Sequence, residues 1–463
     1  MEFGIVTAIL VIVIYSIIVF ILWKSGLLDR LKISAFGPLL MWRTVRGLKA
    51  LDRAARHDRF GRGFGNFAIG MCLFFMGLFT LILLWEAPLA LKIPVSAAPG
   101  PEYIIGLPGI NPLIPLGYGI VALAIAIMIH EFAHGVLLRV GKVTVKSAGL
   151  LFFVIPIGAF VEPDEEELKK ISRRQRVRMY AAGPTSNLIL AFVCAGIFCW
   201  GFMGSVTPVD DGVLVTSVVK DSPAWNASIR PYCLITAIAL PNSTLDPEVT
   251  GESRFLEILG QSQANDTVTV TFISGGARHV KQATLWNKYD YYKDVYKVTK
   301  EEYRDKGFLG IGSVDAAALP GTLSRPMSYD SVEKFVGSAI YFIGLPILGL
   351  MPLKAPLTDT YTVSGPLGGL PPDAFWILAN TFYWLFWLNL MVGATNSLPI
   401  PRMDGGMVYR DCLNALFARL RPGWKEEKRE RVARLGYRIT GLIIVFLIVW
   451  QFLGPRVGAL ING

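Results

Sequence analysis

The sequence predicts a mainly α-helical, polytopic membrane protein with one inserted α+β soluble domain. Of the 463 residues, 53% are hydrophobic and only 17% are charged, which is too apolar for a soluble chain of this size. The mean hydropathy is +0.48. Apolar stretches long enough to cross a bilayer recur along the chain, and one polar segment, 205–330, interrupts them.

Six apolar stretches predict six transmembrane helices. They lie at about 3–23, 66–91, 116–138, 179–204, 374–398 and 439–458. We interpret the first as a retained span, because it has no basic n-region and no small-residue cleavage site. A further apolar stretch, 335–353, contains Gly344 and Pro346, which break helices, and we interpret it as a re-entrant or interfacial segment.

Two basic segments set the predicted orientation. Residues 24–62 hold ten Lys/Arg against three Asp, and residues 402–438 hold ten Lys/Arg against five acidic residues. By the positive-inside rule both segments are cytoplasmic, and we expect 24–62 to be helical and amphipathic in part. The soluble domain then lies outside, so an odd number of crossings must separate it from 402–438. For this reason 335–353 is expected not to cross.

The motif H-E-x-x-H, formed by His130, Glu131 and His134, lies inside the third apolar stretch. Histidines four residues apart share one helix face, so both can bind one metal ion, and Glu131 is placed to act as a general base. Ionisable groups cost about 3 kcal/mol at the bilayer centre, which favours a functional explanation. The alternative is a buried polar network between helices. The pattern indicates a zinc protease with its site inside the membrane.

A catalytic zinc is held by three protein ligands and keeps one position for water. The two remaining histidines, His57 and His279, fall in the basic segment and in the soluble domain. Asp404 is an acidic residue at the predicted cytoplasmic end of an apolar helix, at a depth that matches His130, and Gly405-Gly406 follow it. By elimination we predict Asp404 as the third ligand; a helix cap is its alternative role.

These motifs together resemble those of the site-2 proteases, which are intramembrane zinc metalloproteases of regulated intramembrane proteolysis. The similarity covers about residues 115 to 460 and follows the family's motif order. The matching pieces are H-E-x-x-H at 130–134, Gly183-Pro184-Thr185-Ser186-Asn187, Ser364-Gly365-Pro366 and Asn396–Gly406, in which Met403 replaces the usual Leu.

The resemblance implies roles for individual residues. The implied zinc ligands are His130, His134 and Asp404, the implied catalytic base is Glu131, and the implied substrate- or oxyanion-positioning residues are Asn187 and Asn396. It also implies that 147–161 is a membrane-associated hairpin to which an unwound substrate can add as a strand.

The resemblance further implies that the soluble domain is a PDZ-like module. Gly212–Val219 fits the opening of such a module, and Gly307–Ile311 fits its close. The chain departs from the family at Ala227–Cys233, where A-G-x-x-x-G-D is expected, and this departure bears on whether the groove can bind a carboxylate. The insertion 286–306, rich in Tyr and Lys, has no counterpart.

The predicted organisation has four parts. They are 1–115 with the N-terminal spans and the basic cytoplasmic segment, 116–204 with the first half of the catalytic membrane core, 205–330 as the extracytoplasmic PDZ-like domain, and 331–463 with the Asp404 motif and the C-terminal span. The active site is expected toward the cytoplasmic side of a multi-pass membrane protein.

The expected activity is zinc-dependent cleavage of transmembrane segments in single-span, regulatory membrane proteins, after an upstream protease has acted on them. The expected partners are these substrates and the lipid bilayer. The formal charge of +10 is assigned to cytoplasmic loops, and no nucleic acid is expected. Two alternatives remain. One is a catalytically silent scaffold that binds transmembrane helices. The other is a metal transporter. It is disfavoured because the membrane segments contain too few further ligands for a relay of metal sites.

Overall fold

The computed structural model describes residues 5–31, 33–44, 47–104, 106–153, 155–241, 244–325 and 331–462. The described chain is mostly helical. Its α-helices are α1 (Ile5–Lys24), α2 (Leu27–Arg30), α3 (Leu48–Ala55), α4 (Asp58–Ala90), α5 (Leu116–Val140), α6 (Glu165–Lys170), α7 (Arg173–Gly196), α8 (Pro223–Asn226), α9 (Glu252–Gln261), α10 (Lys288–Tyr296), α11 (Ala318–Ser324), α12 (Val332–Gly344), α13 (Pro372–Ser397), α14 (Asp404–Leu420) and α15 (Glu426–Asn462).

The strands are short and fall into four groups. They are β1 (Ile33–Phe36), β2 (Leu39–Thr44), β3 (Val145–Phe153), β4 (Ile155–Pro163), β5 (Val206–Pro208), β6 (Val213–Val218), β7 (Leu234–Ala239), β8 (Thr267–Ser274), β9 (Ala277–Thr284), β10 (Trp286–Asn287), β11 (Gly307–Phe308), β12 (Ile311–Asp315) and β13 (Tyr361–Val363). The chain forms two compact units: Met1–Ala195 with Tyr383–Gly463, and Gly196–Phe382.

Five helices of the described chain are long and apolar enough to cross a membrane. They are α4, α5, α7 with its continuation to Ser205, α13 and α15. This set agrees with the predicted polytopic membrane protein. Helix α1 is a further apolar helix of 20 residues, so the count of six spans stays a prediction. Helix α12 has 13 residues, about 20 Å, which is shorter than a hydrocarbon core of about 30 Å.

The first unit contains a four-stranded antiparallel sheet of order β1-β2-β3-β4. The basic segment 24–62 is helical in part, as expected, because it contains α2, α3 and the beginning of α4, but residues 33–44 form the hairpin of β1 and β2. The physical reason is the Gly37-Pro38 turn, in which Gly37 has a φ of +61° and reverses the chain. Because β2 pairs with β3, the free edges of the sheet are β1 and β4.

Helix α3 fixes the position of α5, which carries the H-E-x-x-H motif. Leu51 of α3 is buried against Ala133 and Leu137 of α5. A Cβ atom at Gly135 would lie 2.9 Å from both terminal methyl carbons of Leu51, so a glycine is needed for the two helices to approach this closely. Gly135 directly follows His134, so this close helix contact lies next to the two histidines.

The second unit is built on a five-stranded antiparallel sheet of order β12-β6-β7-β8-β9. Buried apolar residues from alternating strand positions and from α9 form its core, including Val213, Ile235, Phe255 and Phe272. Strand β13 pairs with β5, so the compact unit extends beyond the expected range 205–330.

The turn Ala227–Cys233 keeps the backbone conformation that glycines normally provide. Ser228 has a φ of +64° and Tyr232 a φ of +70°, and these are the two positions where the family has glycine. The left-handed region costs non-glycine residues about 1–2 kcal/mol each. The chain therefore accepts local backbone strain here while it retains the turn.

Candidate metal centre and active site

Three side chains from distant parts of the sequence meet at one point. His130 and His134 lie one turn apart on α5, and Asp404 is the first residue of α14. The two Nε2 atoms are 3.1 Å apart. Oδ2 of Asp404 lies 2.9 Å from Nε2 of His130 and 3.1 Å from Nε2 of His134. In the described chain these three residues form the single group with metal-ligand geometry.

Each imidazole is oriented by a hydrogen bond at its other nitrogen. Nδ1 of His130 lies 2.7 Å from Oδ1 of Asn187, and Nδ1 of His134 lies 2.7 Å from the backbone oxygen of Met179. An oxygen acceptor requires a protonated Nδ1, which in the neutral ring leaves Nε2 with its lone pair. Metal-binding histidines typically have such a partner, because it fixes the tautomer and the ring orientation.

Gly183 of α7 leaves space directly beside the two ligand nitrogens. A Cβ atom at this position would lie 2.4 Å from Nε2 of His134 and 2.7 Å from Nε2 of His130. Contacts below 3.0 Å cannot be accommodated without movement. The sequence motif Gly183-Pro184-Thr185-Ser186-Asn187 thus contributes both the open space at the site and the partner of His130.

The segment before α14 delivers Asp404 through a tight turn. Arg402 has a φ of +73°, and its backbone N–H donates to the hydroxyl of Tyr437 at 2.8 Å. A Cβ atom on Gly405 would lie 2.2 Å from the oxygen of Ser397, and one on Gly406 would lie 2.1 Å from the oxygen of Ile400. The two glycines are therefore required because the start of α14 packs closely against the backbone that precedes it.

The donor set fits a zinc ion. Two imidazole nitrogens and one carboxylate oxygen are ligands that Zn²⁺ prefers in catalytic sites. With bonds of about 2.0–2.1 Å, a tetrahedral ion separates neighbouring ligand atoms by about 3.4 Å. The observed separations of 2.9–3.1 Å need to widen by only a few tenths of an ångström. Three protein ligands also leave one coordination position for water.

Glu131 lies in a cavity of about 360 Å³ that also contains the three candidate ligands. The backbone N–H of Val161, in strand β4, faces its carboxylate. Pro163 and Leu168 form part of the cavity wall. Between them Asp164 caps helix α6, where the backbone N–H of Glu167 and then the ammonium of Lys146 hold the pKa of its carboxyl below the ordinary value.

The two predicted positioning residues occupy different environments. Asn396 lines the cavity together with Glu131, and its side-chain nitrogen donates to the oxygen of Val392 at 3.0 Å. Asn187 has 0% exposure and is hydrogen-bonded to His130. The substrate- or oxyanion-positioning role of Asn187 stays a prediction, and the structure adds that this side chain holds His130.

In the described chain neither of the other two histidines belongs to the metal-ligand group. His57 immediately precedes helix α4, and the ring of His279 packs against Phe272 with centroids 5.4 Å apart. One residue that touches the centre indirectly was missed from the sequence. Asn389 is 0% exposed and accepts a hydrogen bond from Asn187 at 2.8 Å. Its signal was an amide inside an apolar helix, which also carries Asn380 and Asn396.

Comparison with known proteins gives the family. The profile of peptidase family M50 matches residues 118–446, which covers the H-E-x-x-H motif, the unit Gly196–Phe382 and the Asp404 segment. The chain belongs to peptidase family M50. The resemblance to site-2 proteases is thereby confirmed. M50 proteases are membrane-embedded and zinc-dependent, which accords with the five apolar helices and the His-His-Asp group.

Two relatives show how far the similarity extends. An uncharacterized protein of Methanocaldococcus jannaschii is 32% identical over 185 residues, which is 39% of this chain and 48% of that protein. A Clostridium acetobutylicum protein named a putative zinc metalloprotease is 23% identical over 322 residues, covering 63% of this M50 chain and 84% of that protein. The chain thus spans about half the length of the first relative and most of the second.

Proposed function

We propose that this M50 protein is a zinc-dependent intramembrane endopeptidase that cleaves transmembrane segments of membrane-anchored proteins. The observation that carries the proposal is the meeting of His130, His134 and Asp404 beside Glu131 in one cavity. The scaffold alternative is disfavoured, because a protein that only binds helices has no need for a complete ligand set with a base next to it. Family membership supports the same conclusion.

In this proposal His130, His134 and Asp404 hold the zinc ion. When bound, zinc supplies Lewis-acid chemistry: it makes water more acidic and polarises a peptide carbonyl. Glu131 takes the proton from the attacking water and transfers it to the amide nitrogen of the leaving group. The N–H of Val161 holds the Glu131 carboxylate in place between these two transfers. Asn396, which lines the cavity, contacts the substrate backbone.

A helical substrate must unwind before cleavage, because its carbonyl groups are engaged in i to i−4 hydrogen bonds. Strand β4 offers a place for the unwound segment. It is an edge strand of its sheet, because in the order β1-β2-β3-β4 it pairs only with β3. Two of its residues, Val161 and Pro163, line the cavity. We infer that the substrate adds to β4 as an extra strand and thereby passes Glu131 in an extended form.

We infer that the soluble unit is a PDZ-like module that docks a peptide. Edge strand β12 and helix α9 border a groove of about 380 Å³, lined by Leu256, Leu259 and Ile311. Residues 307–310 also line this groove, together with Tyr292 and Tyr303 of the inserted segment. The edge strand supplies unpaired backbone groups for an added strand. This module selects substrates that an upstream protease has already shortened.

The proposed topology has six spans, with α1 as the first and 335–353 at the membrane interface. It places the soluble unit outside and the active site in the cytoplasmic half of the bilayer. The positive-inside distribution of 24–62 and 402–438 supports this orientation, and so does the short length of α12. The substrates are then single-span regulatory proteins, and the lipid bilayer is the solvent around the site.

The test is a cleavage assay with purified protein in liposomes and a single-span model substrate. The proposal predicts that a zinc chelator abolishes cleavage and that added Zn²⁺ restores it. Cleavage that persists after the metal has been removed would contradict the proposal. Binding of the substrate without any cleavage by the zinc-loaded protein would favour the scaffold.

A further inference from the structure

Asn389 lies on α13 at the end of a hydrogen-bonded chain that leads to a candidate ligand. Its Nδ2 donates to the backbone oxygen of Leu385 at 2.8 Å, and its Oδ1 accepts from Nδ2 of Asn187 at 2.8 Å. Asn187 also donates from Nδ2 to the backbone oxygen of Ala126 at 2.9 Å. Its Oδ1 faces Nδ1 of His130. The chain connects helices α13, α7 and α5.

Two backbone oxygens fix the direction of every hydrogen bond in this chain. A carbonyl oxygen can only accept, so the oxygen of Ala126 requires the nitrogen end of the Asn187 amide. The oxygen of Leu385 independently requires the nitrogen end of the Asn389 amide, which turns Oδ1 of Asn389 toward Asn187. Both requirements give the same result: Oδ1 of Asn187 faces His130, and Nδ1 of His130 must carry the proton.

We propose that Asn389 is a positioning residue for the metal centre, acting through Asn187 to hold His130 in the tautomer that presents a free Nε2. The proposal rests on the zinc centre proposed above. Asn389 touches neither the ligands nor the reacting atoms. Its contribution is to keep the Asn187 amide from rotating, because a rotated amide would place an N–H group against Nδ1 of His130.

The two histidines differ in how they are held. Nδ1 of His134 is hydrogen-bonded directly to the backbone oxygen of Met179. Because this acceptor belongs to the backbone, no side-chain substitution removes it. His130 depends on a side-chain amide, and that amide depends on Asn389. Removing Asn389 would also leave one N–H of Asn187 without its acceptor in a fully buried position, which is costly. The effect of the substitution is therefore specific to His130.

The test compares Asn389→Leu with Asn380→Leu, a matched control on the same helix. Asn380 is 2% exposed, and it bonds to the backbone N–H and oxygen of Leu353 at 2.8 Å each. Zinc affinity is measured by competition with a chelator, on full-length protein whose folding has been checked by gel filtration. We expect Asn389→Leu to weaken zinc binding about 10- to 100-fold and Asn380→Leu to leave it within about two-fold.

A double-mutant cycle distinguishes an effect that Asn389 transmits through Asn187 from general destabilisation of the protein. If Asn389 acts through Asn187, the double variant Asn187→Ala/Asn389→Leu binds zinc no more weakly than Asn187→Ala alone. Unchanged zinc affinity in Asn389→Leu, or losses that add in the double variant, would overturn the proposal. Wild-type protein that binds no zinc would instead refute the proposed function.

A second measurement needs no variant and covers the case in which Asn389→Leu does not fold. Nitrogen NMR of histidine-labelled wild-type protein, prepared free of metal, reports which ring nitrogen of His130 carries the proton. The His130→Ala spectrum assigns the signal. The proposal expects protonated Nδ1, and a neutral ring protonated at Nε2 would refute it.

Discussion

His130 and Asp404 are 274 positions apart in the chain, yet Nε2 of His130 and Oδ2 of Asp404 lie 2.9 Å apart. Helix α5 supplies the first residue, and the first turn of α14 supplies the second. The close approach of Gly405 and Gly406 to the preceding backbone sets the position of Asp404. A carboxylate at a helix N-terminus is also favoured by the helix dipole, so the site combines local and long-range determinants.

Asp404→Asn tests this relationship. The amide keeps the shape of the side chain but loses the charge, so we expect zinc affinity to fall by more than about a hundred-fold. This loss exceeds the effect, about 10- to 100-fold, of removing a residue that only hydrogen-bonds to a metal ligand. Bound zinc per protein is measured by mass spectrometry after dialysis against a weak chelator. Asp411→Asn makes the same change two turns along α14, at a residue paired with Arg176, and should retain zinc. Equal zinc content in both variants would exclude Asp404 as a ligand.

Gly183→Ala tests the space beside the ligand nitrogens. A methyl group there would lie 2.4 Å from Nε2 of His134, so either the helices separate or the imidazoles turn away. We expect a loss of about 1–3 kcal/mol in stability, read as a lower thermal midpoint, together with weaker zinc binding.

Gly201→Ala is the control for this substitution, because a Cβ atom at Gly201 has nothing within 4 Å. It lies on the same continuous helix, Arg173–Ser205. Gly201→Ala should bind zinc like the wild type. If Gly183→Ala also bound zinc like the wild type, the space beside the histidines would not be needed for metal binding.

Ala159→Pro tests strand addition at β4. The N–H of Val161 points away from β3 toward Glu131, and because strand positions alternate, the N–H of Ala159 points to the same free edge. Proline removes this donor without disturbing the pairing with β3. We expect kcat/KM for a transmembrane substrate to fall about ten-fold, which is about 1.4 kcal/mol, with zinc content unchanged.

Ala35→Pro places the same substitution in β1, the opposite edge of the same sheet. It should leave cleavage close to the wild-type rate. A similar loss in both variants would point to damage of the sheet as a whole, and no loss in Ala159→Pro would remove β4 as the substrate strand.

Thiol labelling tests the proposed topology. Single cysteines are introduced at two exposed positions, Thr362 in β13 and Lys425 before α15, in a Cys412→Ser background. A membrane-impermeant maleimide applied from outside should label Thr362→Cys but not Lys425→Cys in intact cells, and both after lysis. Protection of Thr362→Cys in intact cells would mean that 335–353 crosses the membrane.

Part of this architecture could be predicted from sequence because it depends on local patterns. The spacing of His130 and His134 fixes one helix face, and apolar length identifies the membrane helices. Asp404 could be reached by elimination, since few acidic residues lie at a matching depth. The β1–β2 hairpin was missed, because positive charge masked a short strand pattern and its partner β3 lies about a hundred residues away.

The finer features of the site depend on packing between helices. The sequence shows that Gly183 and Asn187 belong to one motif, but it does not show that a Cβ atom at Gly183 would meet both histidines. The family resemblance implies a substrate- or oxyanion-positioning role for Asn187, but the sequence does not show that its side chain is buried against His130. Asn389 was overlooked for the same reason, because its role follows from three helices meeting and not from its own neighbours in the chain.

Glu131→Gln gives the most direct test of the central claim. Wild type and variant are purified, bound zinc is measured, and cleavage of one single-span substrate is followed in liposomes. The proposed mechanism predicts one zinc per chain in both proteins and a loss of cleavage of about 10²- to 10⁴-fold in Glu131→Gln, since the amide cannot accept the proton. Equal cleavage by both proteins, or wild-type protein that neither binds zinc nor cleaves, would contradict it.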